Sequence, residues 1–228
     1  MDTQENAHPR MASHPEGTPR ADRKNLRCWR CGEQHRALLF CPRCQAIQPF
    51  PEDADFFEIM GFPRSLSIDA VTLQRRYYEL HRLLHPDRFQ TASPEERQAS
   101  LRNTALVNQA YRTLKDPEDR GLYWLTLHGE ALGKDNRSVP TELAALVFET
   151  QERLQEFRDD PSMRQEIEAI RTEIQNRADA LRGELESIYR KAAPDRVSRE
   201  QLGDLKRILS ALAYVSTLLR DIDRTLEN

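Results

Sequence analysis

The sequence predicts an all-α protein: a helical hairpin followed by a three-helix bundle, preceded by a small metal-binding knuckle module. Three observations carry that prediction. Apolar residues recur at spacings of three, four and seven through the second half of the chain, the period of amphipathic helices and not of strands. Capping residues and proline-bearing breaks delimit those stripes. All four cysteines fall between residues 26 and 50, as two Cys-x-x-Cys pairs.

Residues 1–25 combine His, Pro, Ser, Thr and charged residues with almost no large apolar side chains. Such a segment cannot offset the entropy of its own ordering and is expected to be a disordered tail. Residues 26–50 form the cysteine module, 52–130 a first helical module and 140–228 a second. In the first, Phe56, Phe57, Ile59 and Met60 predict a short helix ending at Gly61. A second helix starts near Ser67, buries Leu73, Tyr77, Leu80 and Leu84, and stops at His85-Pro86, because a residue before proline is biased away from helix. Ser93, Pro94 and Glu96 give an N-cap, a first-turn proline and a capping box for the next helix. That helix carries Leu101, Ala105, Asn108 and Tyr111. Tyr77, Leu80, Leu101, Tyr111 and Leu114 are assigned to the core, and Asn108 to local hydrogen bonding. Asp116-Pro117 opens a further helix through Leu122, Tyr123 and Leu125 towards Gly129. Two antiparallel helices are thus joined by a tight, charged, proline-containing loop.

In the second module Leu143, Val147, Leu154 and Phe157 form one stripe. Ile167, Ile170, Ile174, Leu181, Leu185 and Ile188 form the next, and Leu205, Leu209, Leu212, Leu219, Ile222 and Leu226 the third. Asp160-Pro161 and Pro194-Asp195 separate them, and Ser198 with Gln201 predicts a capping box for the last helix. Three stripes that bury one another make a bundle, whereas the prolines argue against one long coiled coil.

Cys28 and Cys31 form the first cysteine pair and Cys41 and Cys44 the second, with nine residues between the pairs. Two such pairs complete a tetrahedral sulfur shell, and Gly32 suits the tight turn after the first. A segment this short has no core of its own, so the metal would supply most of its folding energy. In a reducing compartment this reads as structural Zn2+, with iron the lesser choice. Two disulfides or a redox pair are the competing readings. His35, lying between the pairs, is expected to be an ordinary surface histidine, since four thiolates fill the shell.

His85-Pro86-Asp87, with Arg88 and Phe89, gains weight from its place between a helix bearing Arg75, Arg76 and Arg82 and a well-capped antiparallel partner. Here the sequence resembles the J-domain family, and within it the HscB (also called Jac) branch of co-chaperones for iron–sulfur cluster biogenesis. The resemblance rests on Phe56-Phe57-Glu58-Ile59-Met60-Gly61-Phe62-Pro63, Leu84-His85-Pro86-Asp87-Arg88-Phe89 and Asn108-Gln109-Ala110-Tyr111-Arg112-Thr113-Leu114. It continues through Asp116-Pro117 and Arg120-Gly121-Leu122-Tyr123-Trp124-Leu125-Thr126-Leu127-His128-Gly129. The prefix Cys28-Trp29-Arg30-Cys31-Gly32 and Phe40-Cys41-Pro42-Arg43-Cys44 looks like the metal-binding extension of the longer, eukaryotic-type members.

The resemblance implies adaptor chemistry. His85, Pro86 and Asp87 would dock on a DnaK/HscA-type chaperone ATPase, with Arg75, Arg76, Arg82 and Arg88 supplying electrostatic complementarity. The bundle would bind an IscU-type iron–sulfur cluster scaffold protein, with Ala144, Phe148, Glu149, Glu152 and Glu156 as its contact residues. Phe148 could alternatively pack on the bundle or on the first module. Ala144 and Ala145 stand where relatives carry larger apolar groups.

Composition narrows the alternatives. A formal net charge of −3 gives no reason to expect nucleic-acid binding, and no apolar run reaches the ~18 residues of a membrane span. The first residues hold Asp2, Glu5 and Glu16 and lack a hydrophobic stretch, so a cytoplasmic location is expected, or the mitochondrial matrix for a eukaryotic chain. A hydrolase built on His81, His85 and Asp87 would lack a spaced nucleophile and a pocket. No catalysis is therefore expected. A general J-protein serving unfolded clients is the main competing function, with a thiol redox protein behind it.

Overall fold

Helices dominate the computed structural model, which describes residues 26–36, 39–132, 141–192 and 198–227. The expected tail over residues 1–25 and the Pro194-Asp195 break lie outside the described residues. Two short strands, β1 (Leu26–Arg27) and β2 (Gln34–His35), pair antiparallel with Leu26 opposite His35. Seven helices follow: α1 (Phe56–Met60), α2 (Ala70–Leu84), α3 (Pro94–Lys115), α4 (Pro117–Leu127), α5 (Thr141–Asp159), α6 (Arg164–Lys191) and α7 (Arg199–Glu227). No described helix is long and apolar enough to cross a membrane.

The helix ends follow their sequence signals. Asp55 accepts from Glu58 N–H to start α1, and a Schellman closure runs from Gly61 to Glu58 O and from Phe62 to Phe57 O. Ser93 and Glu96 exchange reciprocal bonds of 3.3 Å at the start of α3, and Ser198 and Gln201 do the same at 3.0 and 3.1 Å before α7. Asp116 accepts from Asp119 N–H at 2.9 Å with Pro117 in the first turn of α4. The start of α2 falls later than expected. Asp69, not Ser67, accepts from Thr72 N–H at 2.8 Å, while the Ser65 hydroxyl donates to Ser67 O and holds that serine in a local turn.

The chain contacts divide the molecule into two units, one comprising residues up to Pro63 with Gln74–Ala110, the other Arg64–Leu73 with Tyr111 onwards. In the first, the parts of α2 and α3 that belong to it run antiparallel. Tyr77 donates its hydroxyl to Asn108 Oδ1 at 3.0 Å, while Leu84 O accepts from Ser100 and Thr104. Asn108 thus bonds across the hairpin and not merely locally. Leu80, Leu84, Val107 and Ala110 are fully buried. The assignment of Leu101 to the core is corrected: it is 59% exposed, and Ala105 is exposed too. The inner face of α3 instead carries Ser100, Asn103, Val107 and Ala110. Two of these are polar, which is why an apolar stripe pointed to the wrong side.

In the second unit α6 and α7 pack along their lengths, and both meet α5. Ile167, Ile174, Leu181, Leu185, Leu205, Leu209, Leu212 and Ile222 are buried as the periodicity predicts, joined by Ala178, Ala211, Val215 and Leu218. Helix α4 packs on α7 as well. The buried Arg120 guanidinium donates to Leu114 O at 2.6 Å and lies 5.1 Å from the Tyr189 ring centroid, and Tyr189 donates to Pro117 O at 2.5 Å. Burial lowers the Arg120 pKa and raises that of Tyr189: it opposes the guanidinium charge, which these partners offset, and favours the neutral phenol.

Gly121 makes the approach of α4 possible, since a Cβ there would collide with Tyr189 Oη and meet Leu209 Cδ1 at 3.0 Å. Gly121→Ala should therefore destabilise the protein by ~1–3 kcal/mol through overpacking. Gly183→Ala, in open space within α6, should stabilise it by about 1 kcal/mol. Thermal unfolding of the two variants should move in opposite directions, and a shared direction would refute the steric account.

Candidate functional site: an exposed turn, a cysteine cluster and an outward helix face

Proline at position 86 ends α2 and forces His85 into an extended conformation, φ −56° and ψ 129°. The last carbonyl of the helix would otherwise lack a partner. Leu84 O instead receives two hydroxyls from successive turns of α3, Ser100 Oγ at 2.6 Å and Thr104 Oγ1 at 3.0 Å. Beyond that brace Pro86–Phe89 make one 3-10 turn, closed by Arg88 N–H donating to His85 O at 3.0 Å. Asp87 N–H donates to His85 Nδ1 at 3.3 Å, and Gln90 Nε2 donates to Asp87 Oδ1 at the same distance. His85 Nδ1 also lies 3.5 Å from Asp87 Oδ2. Nδ1 can accept from the amide when neutral or pair with the carboxylate when protonated, but not both. The Asp87 side chain is 73% exposed. The turn therefore offers solvent a pre-set carboxylate on a rigid hairpin tip.

Tyr78, His81, Arg82, His85 and Arg88 line a shallow open depression beside the turn. The His81 and His85 rings lie 5.3 Å apart. Arg75, Arg82 and Arg88 are exposed. Arg76 differs: its side chain is 12% exposed, and it donates to Met60 O at 3.2 Å and to Glu79 Oε2 at 3.3 Å. It secures the end of α1 while adding charge to the face. An exposed Tyr78 between Arg75 and Arg82 adds an apolar element to this face.

The four cysteine sulfurs all lie within 4.8 Å of one another. Cys28 and Cys44 Sγ are 3.6 Å apart, and Cys31 and Cys41 Sγ 3.7 Å. A tetrahedron with metal–sulfur bonds of ~2.3 Å has edges of about 3.8 Å. A disulfide needs ~2.05 Å, and all four are free thiols. The donor set therefore fits a tetrahedral metal ion. The two knuckles have the same backbone: Gly32 N–H donates to Cys28 O at 3.0 Å and Gln45 N–H to Cys41 O at 2.9 Å. Both residues take positive φ, 75° and 58°. Burial raises the Cys28 thiol, yet amides of Cys31 and Arg30 and neighbouring thiols outweigh it and hold it at about 6. Burial drives Cys44 up to about 12. A cation bound there would offset the burial that opposes ionisation of Cys44.

His35 is not a surface residue. Alternation along β2 leaves Gln34 exposed and turns His35 inward, 6% exposed, with both ring nitrogens lacking hydrogen-bond partners among the described residues. It belongs to the small core under the knuckles, with Ala46, Ile47 and Phe50 also buried there.

On α5, Leu143, Thr150, Leu154 and Phe157 are buried, whereas Ala144, Phe148, Glu149, Glu152 and Glu156 are all exposed. Phe148 is 71% exposed. Glu156 is partly engaged, bonded to Arg153 at 2.8 Å.

Residues 55–123 match the family model of the DnaJ domain. The iron–sulfur cluster co-chaperone protein HscB of Homo sapiens is 38% identical over 149 residues, covering 63% of each chain. The crystal structure of the human co-chaperone protein HscB superimposes with a TM-score of 0.66 at 28% identity, over 87% of this chain and 98% of that one. These likenesses support identifying the chain as an HscB-type J-domain protein. The chaperone HscB of Vibrio cholerae is similar too, with a TM-score of 0.57 and 26% identity over 75% of this chain and 96% of that chain. The chain spans a little under two thirds, 63%, of the human relative's sequence in the aligned region.

Within this HscB-type chain, the turn and its arginines fall inside the DnaJ match, whereas the cysteine cluster and the α5 face lie outside it. Sequence reasoning missed Ser100, Thr104 and Asn103 because polar residues on an inner helix face carry no periodic signal. It also missed Gln48, whose Nε2 donates to Cys28 Sγ at 3.4 Å. Cys41→Ser should abolish metal uptake and amide protection over residues 26–50, read by cadmium–thiolate absorption and hydrogen exchange. Gln45→Gly should relieve up to about 1 kcal/mol of left-handed strain. A chelator-competition titration should show metal binding tightened several-fold, and weakened binding would contradict the strain.

Proposed function

We propose that this chain is a co-chaperone that stimulates a DnaK/HscA-type chaperone ATPase and delivers to it an IscU-type iron–sulfur cluster scaffold protein. The observation that supports this most is the exposed His85-Pro86-Asp87 turn, braced on α2 and α3 in an HscB-type chain. Asp87 is the acceptor for a basic group on the ATPase, Pro86 fixes the turn, and His85 orders the Asp87 amide. Arg75, Arg82 and Arg88 steer encounter, with Arg76 contributing field more than a free guanidinium. The chain itself performs no bond chemistry in this reading. It biases the partner's nucleotide cycle by binding one of its states better than the other.

Residues 52–130 are assigned to the ATPase and 140–228 to the scaffold. On α5, Phe148 is a large exposed aromatic with Ala144 beside it and Glu149, Glu152 and Glu156 around it. That is an apolar anchor with an acidic rim, the composition of an interface centre. The cysteine cluster holds Zn2+ as a structural ion, since four thiolates leave no open position. Free thiols at this density suit a reducing compartment, the cytoplasm or mitochondrial matrix.

The test is steady-state ATP hydrolysis by candidate chaperones with this protein present and the scaffold added or omitted. Synergy between protein and scaffold is expected, and stimulation indifferent to the scaffold would instead indicate a general J-protein. Asp87→Asn should abolish stimulation while scaffold binding persists. Phe148→Ala should do the reverse, weakening scaffold binding at least ~30-fold if Phe148 is an interface anchor, with Glu152→Ala weakening it less. Wild-type behaviour from both Asp87→Asn and Phe148→Ala would refute the division of labour.

A further inference from the structure

We infer that Gln48 and Asn103 couple metal occupancy of the four-cysteine cluster to the rigidity of α3 and the His85-Pro86-Asp87 turn. The links are continuous within one unit of the chain. Gln48, 4% exposed, donates from Nε2 to Cys28 Sγ at 3.4 Å and to Ala46 O at 2.8 Å, and its Oε1 accepts from Trp29 N–H at 3.3 Å. It therefore reads both knuckles. Its main-chain carbonyl accepts from Asn103 Nδ2 at 2.8 Å, and Asn103 Oδ1 accepts from Phe50 N–H at 3.0 Å. One side-chain amide on α3 clamps the chain on either side of Pro49. A turn earlier on the same helix Ser100 is bonded to Leu84 O, and Thr104, next to Asn103, is bonded to it too. From there the chain passes directly into His85.

Two ion pairs that also join the module to the hairpin are weaker connections. Arg30 reaches Glu96 at 3.5 Å with its side chain 51% exposed, and Arg102 reaches Glu52 at 3.9 Å with Glu52 92% exposed. At these distances, with at least one partner half exposed or more, each contributes little. Asn103 is 0% exposed, so losing its partners would leave a buried amide unsatisfied on both atoms. Without metal the cysteine segment loses its main source of folding energy. Gln48 then has no fixed sulfur to bond, and the Asn103 clamp has no fixed carbonyl. By linkage, the effect is reciprocal: the clamp must also tighten metal binding. Gln48 and Asn103 are positioning residues in this scheme.

The inference rests on the cluster being a metal site, and its test does not involve the ATPase. Hydrogen exchange of the full-length chain is compared between the cadmium-loaded protein and protein stripped by a chelator under reducing conditions. In the wild type, amides of α3 and of Asp87 to Gln90 should exchange on the order of 10-fold faster after stripping. In Asn103→Ala the two forms should exchange alike, and cadmium affinity should fall by the same factor. Asn103→Ser serves if that variant does not fold. Val107→Ala, buried on the same helix without a hydrogen bond to the module, should keep the full metal dependence. Gln48→Met keeps the carbonyl that Asn103 uses and removes the N–H···S bond, so it should shift the cobalt–thiolate charge-transfer band. If metal binds and α3 does not respond, or if Asn103→Ala responds like wild type, the inference falls while the metal site stands. If cadmium produces no thiolate absorption, both fall together.

Discussion

Leu84 O is the group on which the working end of the hairpin depends. A helix that stops at a proline leaves its last carbonyls without intrahelical donors, and this one is buried. Two hydroxyls on α3 satisfy it, and in doing so fix the angle at which the chain leaves α2. Everything exposed at the tip inherits that angle: the extended His85, the single 3-10 turn, and the carboxylate of Asp87 held outward. The solution constrains α3 in turn. A helix that must present Ser100, Asn103 and Thr104 inward cannot also present a continuous apolar stripe there. Val107, Ala110 and Leu114 supply the burial further along.

That constraint separates what the sequence revealed from what it concealed. Helix ends were legible because capping is local chemistry. The Ser93–Glu96 and Ser198–Gln201 boxes form as written, and Asp116 caps α4 with Pro117 behind it. The long stripes of α6 and α7 were legible because each buries one face against the other. The inner face of α3 was not, since its hydrogen bonds replace hydrophobicity, and Leu101 drew the core assignment to the wrong side. The site followed the same rule. The spacing of Cys28, Cys31, Cys41 and Cys44 announces its geometry. The burial of His35 and the engagement of Arg76 with Met60 depend on pairings that no local pattern encodes.

The two knuckles show how much latitude a metal shell leaves its scaffold. Both require a left-handed residue four positions after their first cysteine, and both place an amide on that cysteine's carbonyl. One uses glycine and the other uses glutamine, whose Nε2 adds a bond to Pro42 O at 3.2 Å. The shared backbone, and not the side chain, is what brings the sulfurs to a common spacing.

Helix α4 carries a burden set by the order of synthesis. It ends the DnaJ-matched segment, yet Arg120, Gly121 and their neighbours find cover on Tyr189, Leu205 and Leu209, far downstream in the chain. At translation rates of ~5–20 residues per second, that cover reaches the nascent chain only after a delay of several seconds. During that interval the helix has no partner for its close-packed face, and the Arg120 guanidinium has no ring to lie against. The amino-terminal half of this protein is thus born before it can be finished.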